Sequence, residues 1–205
     1  MEADSPRFVQ AASELAEQGW TVIQDYMPSE ALAELYAESE ELYTLGRFRE
    51  AGVGRGTGQA VQRNVRMDRI YWLNDQELTP PQSHYWKQMD SLRLALNSEL
   101  YLSLVSLEAH YAVYAKGAYY RKHIDRFQNA DERVVSSTLY LNPDWKEADG
   151  GQLRLYTEVH HVDVLPRAGT FVLFRSDTVP HEVLVATRSR ISLTGWFRRR
   201  SLLPF

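Results

Sequence analysis

The chain has no cysteine, which excludes disulfides, thiolate metal sites and a cysteine nucleophile together. It also has no apolar run near the roughly 18 residues that a membrane-spanning helix needs, so no membrane partner is expected. The opening Met1-Glu2-Ala3-Asp4-Ser5-Pro6 carries neither the basic start nor the apolar stretch of a secretory signal, and the expected compartment is the cytoplasm. Positive charge is not in excess. With 23 Lys and Arg against 27 Asp and Glu the net charge is -4, which argues against a surface built to coat nucleic acid. What remains is a composition of 44% hydrophobic and 24% charged residues over 205 positions, that of one globular domain with a substantial core.

The two halves of the chain differ in pattern. Ser5-Pro6 can open a helix that Gly19 closes, and Trp20 to Asp25 is rich in strand formers. Pro28 opens a second helix with Leu32, Leu35, Tyr36, Ser39, Leu42 and Tyr43 three and four apart; Pro80-Pro81 opens a third with Tyr85, Met89, Leu92, Leu96 and Leu100 on one stripe. Such stripes predict packing surfaces. Between these helices, Arg47 to Arg66 contains Gly52, Gly54, Gly56 and Gly58 and five arginines against one acid, Glu50. That glycine density is costly inside a packed element, so a surface loop or a mobile flap over a site is expected.

From Leu107 onward, short β-rich runs alternate with turn signals such as Asn142-Pro143-Asp144 and Asp149-Gly150-Gly151. Strands are predicted at 107–115, 118–123, 133–141, 152–156, 161–165, 170–174, 180–186 and 190–198. Eight strands at this spacing imply a sandwich or jelly-roll barrel with the helices packed on one outer face. No internal repeat or linker divides the chain, so a single domain over 1–205 is expected: helical support and loop to about 106, with the mobile part at about 47–68, and a jelly-roll core over 107–198.

Within that half, His123-Ile124-Asp125 stands out, because residues two apart on a strand share a face. His181, in Pro180-His181-Glu182-Val183, opens a later strand. Two imidazoles and a carboxylate on one face of a metal leave positions open, the arrangement of non-haem Fe(II) oxygenases. Arg190, nine residues beyond His181, would place a guanidinium deep in the barrel, where it needs an anionic partner of matching fork geometry. His160 and His161 are adjacent and would point to opposite faces; they, His84 and His110 are expected to be structural or exposed. The Arg198-Arg199-Arg200 run is expected to be a solvated strand end, or a feature that steers an acidic partner.

Taken together, Tyr120 to Asp125, Arg133 through Tyr140-Leu141-Asn142, Asp144-Trp145, Gly150 to Arg154, Pro180 to Val183 and Arg190 to Phe197 resemble the 2-oxoglutarate oxygenase superfamily. The likeness is greatest to its prolyl 4-hydroxylase branch, of the bacterial and animal oxygen-sensing type. That resemblance implies a double-stranded β-helix (jelly roll, cupin-like), mostly β with N-terminal helices. It implies His123, Asp125 and His181 as catalytic Fe(II) ligands, with Arg190, Tyr140 and Tyr114 around 2-oxoglutarate. It implies Trp196, Arg66, Asp68 and Arg133 on the substrate side, with Arg66 to Trp72 ending a substrate-covering loop anchored by an Asp68–Arg133 pair. O2 would be the co-reactant, succinate and CO2 the coproducts, and ascorbate a supporting reductant. The partner implied is a protein presenting a proline, elongation factor Tu among the candidates.

Two other readings stay open: hydroxylation of a small molecule such as a free amino acid, and a non-catalytic module that binds metal or 2-oxoglutarate. Asp125 favours hydroxylation over halogenation, since halogenases of the superfamily lack that carboxylate. Nucleic-acid demethylases of the superfamily carry a second arginine six residues after the first, and here that position is Trp196; no nucleic-acid partner is expected.

Overall fold

The computed structural model describes residues 5–52, 62, 64–126 and 132–201. The middle of the expected flap, 53–61 and 63, therefore lies outside the described residues.

Three helices form where their stop and start signals stand. Helix α1 (Ser5–Gln18) ends at Gly19, whose φ of +85 suits glycine and whose N–H donates to the Leu15 carbonyl at 3.1 Å. Helix α2 (Ser29–Thr44) starts after Pro28. Helix α3 (Pro80–Leu100) has a capping box in which Thr79 and Gln82 satisfy each other's backbone donors, with Pro80 in the first turn, where its missing N–H is harmless. Its stripe of Tyr85, Met89, Leu92 and Leu96 is fully buried.

The strands make two antiparallel sheets. In chain order they are β1 (Trp20–Ile23), β2 (Arg49–Glu50), β3 (Arg69–Trp72), β4 (Leu104–Tyr114), β5 (Tyr120–His123), β6 (Arg133–Tyr140), β7 (Leu153–Tyr156), β8 (His161–Val164), β9 (Phe171–Arg175), β10 (His181–Val183) and β11 (Arg190–Arg199). The major sheet runs β1-β9-β6-β11-β4-β3-β2 and the minor sheet β5-β10-β7-β8. All eight strands predicted beyond Leu107 form, within a few residues of their expected ends. The segment from Arg66 to Trp72 differs from expectation. Only its first part is loop, because Arg69–Trp72 pairs with β4 across Tyr71↔Tyr111 and Trp72↔His110, and Arg49–Glu50 pairs with it in turn.

Alternation along the strands separates two environments. On β11, Ile191, Leu193 and Phe197 join Tyr111, Leu139, Phe171 and Leu173 against the helices, all on one face of the major sheet. Arg190, Thr194 and Trp196 take the other parity and face the space between the sheets. Burying each large apolar side chain on the helix side contributes roughly 1.5–3 kcal/mol. The helices thus support one face of the sheet, and the opposite face is left to form a site.

Candidate active site

The space between the sheets is a pocket of about 350 Å³. His123 ends β5, Asp125 follows just past the strand end, and His181 opens β10, directly paired with His123. Ile124, between the first two, turns out to 44% exposure, so the two-residue spacing does put His123 and Asp125 on the same side. Ligand-type atoms of the three residues lie within 4.8 Å of one another. Asp125 Oδ1 is 3.5 Å from His123 Nε2 and 3.7 Å from His181 Nε2.

The surroundings prepare these groups for a metal. His123 Nδ1 sits 2.7 Å from the Arg121 carbonyl and His181 Nδ1 3.2 Å from the Val179 carbonyl, so each Nδ1–H is engaged and each Nε2 lone pair is left free. Burial holds the His181 imidazole down to about 4, hence neutral. Burial alone would raise the Asp125 carboxyl, but the imidazoles of His181 and His123 and the Ser136 hydroxyl outweigh it and hold it well below the usual carboxylate range. Ser136 Oγ donates to Asp125 Oδ2 at 2.7 Å and lies 2.8 Å from Ser176 Oγ, which fixes the carboxylate from behind. Two imidazoles and one ionised carboxylate match the donor set that divalent iron takes.

Arg190, 2% exposed, lies deeper along β11. Its Nε donates to the Gly151 carbonyl at 2.9 Å, and among the described residues no carboxylate pairs with it. The rings of Tyr140 and Tyr114 flank its guanidinium at 4.8 and 5.0 Å. Among the described residues the buried Tyr140 hydroxyl has no well-formed hydrogen-bond partner and lies beside the Arg190 guanidinium. A buried cation without an acid and an orphaned phenol beside it fit the distal carboxylate of a dicarboxylic acid such as 2-oxoglutarate.

Toward the mouth the walls become aromatic. Trp72, His110 and Trp196 pack together with ring centroids 4.8 to 6.1 Å apart, and the Arg133 guanidinium lies over Trp196 at 3.6 Å. Trp196 Nε1 is likewise buried without a hydrogen-bond partner among the described residues. Tyr120 stacks on His123 at 3.6 Å, and Arg66 lies over the other side of Tyr120 at 4.4 Å.

One expectation is corrected here. Asp68 does not pair with Arg133: Arg66 takes both of its oxygens, at 2.7 and 2.5 Å, whereas Arg133 binds Glu108 at 2.7 Å. Arg66 sits two residues from Asp68 and needs no long-range closure to reach it. His110 is buried, in keeping with a structural role, and strand pairing with Trp72 brings it into the pocket wall. His160 and His161 are exposed, as expected. Sequence reasoning also missed Trp72, Tyr120 and Ser136. Trp72 depends on an unanticipated strand. Tyr120 and His123 are three apart and should face oppositely, but a register irregularity between β5 and β10 brings them together. Ser136 follows the alternation of β6 and was legible in principle.

Comparison with known proteins agrees with this geometry. The family model described as the 2OG-Fe(II) oxygenase superfamily matches residues 109–198. A crystal structure of a Pseudomonas putida prolyl-4-hydroxylase is 40% identical, with 94% of this chain and 99% of that one covered at a TM-score of 0.85. This chain belongs to the 2OG-Fe(II) oxygenase superfamily. Within it the chain is prolyl-hydroxylase-like. A Trichoplax adhaerens prolyl hydroxylase, solved with a peptide of the hypoxia-inducible factor oxygen degradation domain, is 28% identical over 95% of this chain and 90% of that one, at a TM-score of 0.86. The hypoxia-inducible factor prolyl hydroxylase of Caenorhabditis elegans is 28% identical over 91% of this chain. The chain spans about a quarter of the length of the curated relatives it matches, 27% and 20%. Fe(II) and 2-oxoglutarate are the metal and cosubstrate of the superfamily, and the donor set and the unpaired Arg190 fit both.

Proposed function

We propose that this chain hydroxylates a prolyl residue of a protein, with Fe(II) held by His123, Asp125 and His181 and 2-oxoglutarate anchored by Arg190 and Tyr140. The observation that carries this reading is the order of groups along one pocket: a buried unpaired cation, then the His-Asp-His cluster, then an aromatic wall at the mouth. Bound iron and 2-oxoglutarate would supply the oxidation, in which O2 gives one oxygen to a C–H bond and one to the succinate formed as CO2 is lost.

The chain's own residues select and orient. Arg190 matches the charge of the distal carboxylate, and the Tyr140 O–H donates to it. Tyr114 packs beside the guanidinium and keeps water from it. At the mouth, the half-buried Trp72 offers an aromatic surface to a pyrrolidine ring, while the indole N–H of Trp196, whose ring Arg133 covers, is a donor for a carbonyl such as a peptide backbone provides. Arg66, tied to Asp68, braces Tyr120 against His123 and so orients that ligand. Arg133 roofs the Trp196 ring. The two prolyl hydroxylases with solved structures support a prolyl target, and the Trichoplax protein was solved with a peptide bound. Elongation factor Tu is the candidate partner that the bacterial-type resemblance suggests.

The test is mass spectrometry of cell-extract proteins incubated with the purified chain, Fe(II), ascorbate, O2 and 2-oxoglutarate. We expect a mass gain of one oxygen localised to a proline and absent with Asp125→Ala. Succinate formation with no modified protein would move the target to a small molecule. Equal modification by Asp125→Ala would overturn the metal assignment.

A further inference from the structure

The Arg198-Arg199-Arg200 run, exposed at Arg200, borders a groove. The beginnings of β4 and β6 and the ends of β9 and β11 meet at one end of the major sheet. There a groove of about 460 Å³ is lined by Arg126, Arg133, Arg175, Arg199 and Arg200, with Asp177 the one carboxylate in the lining among the described residues. Arg133 lines both this groove and the active-site pocket, so the two are adjacent. At its far end stand Tyr101, 86% exposed, and Val105, 52% exposed.

The local charge is unusual for a chain of net charge -4. Asp177 is shared by Arg126 at 3.2 Å and Arg175 at 3.4 Å, and Glu108 by Arg133 at 2.7 Å and Arg198 at 3.2 Å. A guanidinium has five N–H donors. Arg198 also reaches Glu132 at 3.3 Å, so three carboxylates stand beside these four guanidiniums, and Arg200 is exposed and makes no ion pair among the described residues. We propose that this groove docks an acidic segment of the protein substrate, adjacent in sequence to the residue that enters the pocket. The inference rests on the reading of a polypeptide substrate, because only a chain that continues beyond its reacting residue can occupy pocket and groove at once. Carboxylates suit the site better than a nucleic acid does. The positive charge is confined to one groove on an acidic molecule, with no wide basic surface to follow a polyphosphate. Tyr101 and Val105 would give such a segment an apolar anchor at its far end.

The groove can be tested without knowing the substrate or the reaction. Fluorescein-labelled octaglutamate and octaglutamine would be titrated with the full chain and followed by anisotropy at low and at near-physiological salt. Octaglutamate is expected to bind at least tenfold tighter than octaglutamine, with affinity falling as salt rises. The doubly substituted Arg175→Glu, Arg200→Glu chain is expected to lose at least tenfold, and Arg167→Glu, on a distant turn, to lose nothing. Amide exchange in the octaglutamate complex should slow around 101–105 and 198–200. Equal binding of the two peptides, an undiminished groove variant, protection confined to other segments, or tighter binding of a labelled octathymidylate would each overturn the proposal. Since no turnover is measured, failure of the prolyl reading and failure of the groove are separate results.

Discussion

His110 shows how one side chain can couple the site to solution conditions. It is 2% exposed, and burial, aided by Arg66, lowers its imidazole from 6.5 to about 4. The fold therefore holds it neutral while the unfolded chain binds the proton. That contribution to stability is complete above pH 6.5 and is lost as pH falls toward 4. Between pH 7 and about pH 5 the loss from this residue is on the order of 2 kcal/mol. Urea unfolding of metal-free wild type and His110→Met at the two pH values should show a flatter dependence in the variant. Parallel curves would mean that His110 is not neutral in the fold. Residues of this kind were the least legible in the sequence. The motif residues His123, Asp125, His181 and Arg190 announce themselves by type and spacing. His110 and Trp72 matter only because two strands pair in a particular register, and register is a property of the assembled sheet.

Among the connecting elements, the turn before β7 has the most direct hold on the site. Gly151 has φ +70, and a Cβ there would come within 2.9 Å of Ala186 Cβ, 3.2 Å of Trp145 Cζ2 and 3.3 Å of Arg190 Cδ. Its carbonyl also accepts the Arg190 Nε–H. Gly151→Ala should therefore destabilise the fold by roughly 1–3 kcal/mol through backbone strain and crowding. It should also weaken 2-oxoglutarate binding several-fold, measured by calorimetry with Mn(II) in place of iron. Gly169→Ala is the control. Its φ is +81 and its nearest contact is Leu32 Cδ1 at 3.3 Å, so it should lose stability and keep cosubstrate affinity. Wild-type affinity in Gly151→Ala would show that this turn does not position Arg190. At this scale most of the fold was readable, because the helices carry their own caps and stripes and the later strands their own turns. β2 and β3 were not, since a glycine- and arginine-rich neighbourhood masks two short segments that become strands only by adding to the edge of β4.

On the scale of the whole molecule, the proposed ligands join two layers. His123 and His181 belong to the minor sheet, Arg190 to the major one, and Asp125 is held by Ser136 of the major sheet. Metal and cosubstrate should then stabilise the entire domain by mass action, since the unfolded chain cannot assemble the site. At a hundredfold excess over its dissociation constant each ligand contributes about 2.7 kcal/mol, or roughly 5–10 °C in Tm for a chain of this size. Differential scanning fluorimetry with Mn(II), then Mn(II) plus 2-oxoglutarate, should show two successive increments. Arg190→Ala should keep the first and lose the second, its cosubstrate affinity falling by roughly 2–4 kcal/mol. A full second increment in that variant would count against the anchor.

Strand β11 is hydrogen-bonded on both sides, to β4 and β6, and its alternate residues Arg190, Thr194 and Trp196 face the pocket while Ile191, Leu193 and Phe197 face the helices. A single inserted or deleted residue would exchange the two sets, sending the apolar side chains into the pocket and the arginine into the core. Heredity can therefore edit this strand by replacement but not by changes in length. New specificities would have to arise from substitutions at the pocket-facing positions, or from loops at the rim, where an added residue costs the fold little.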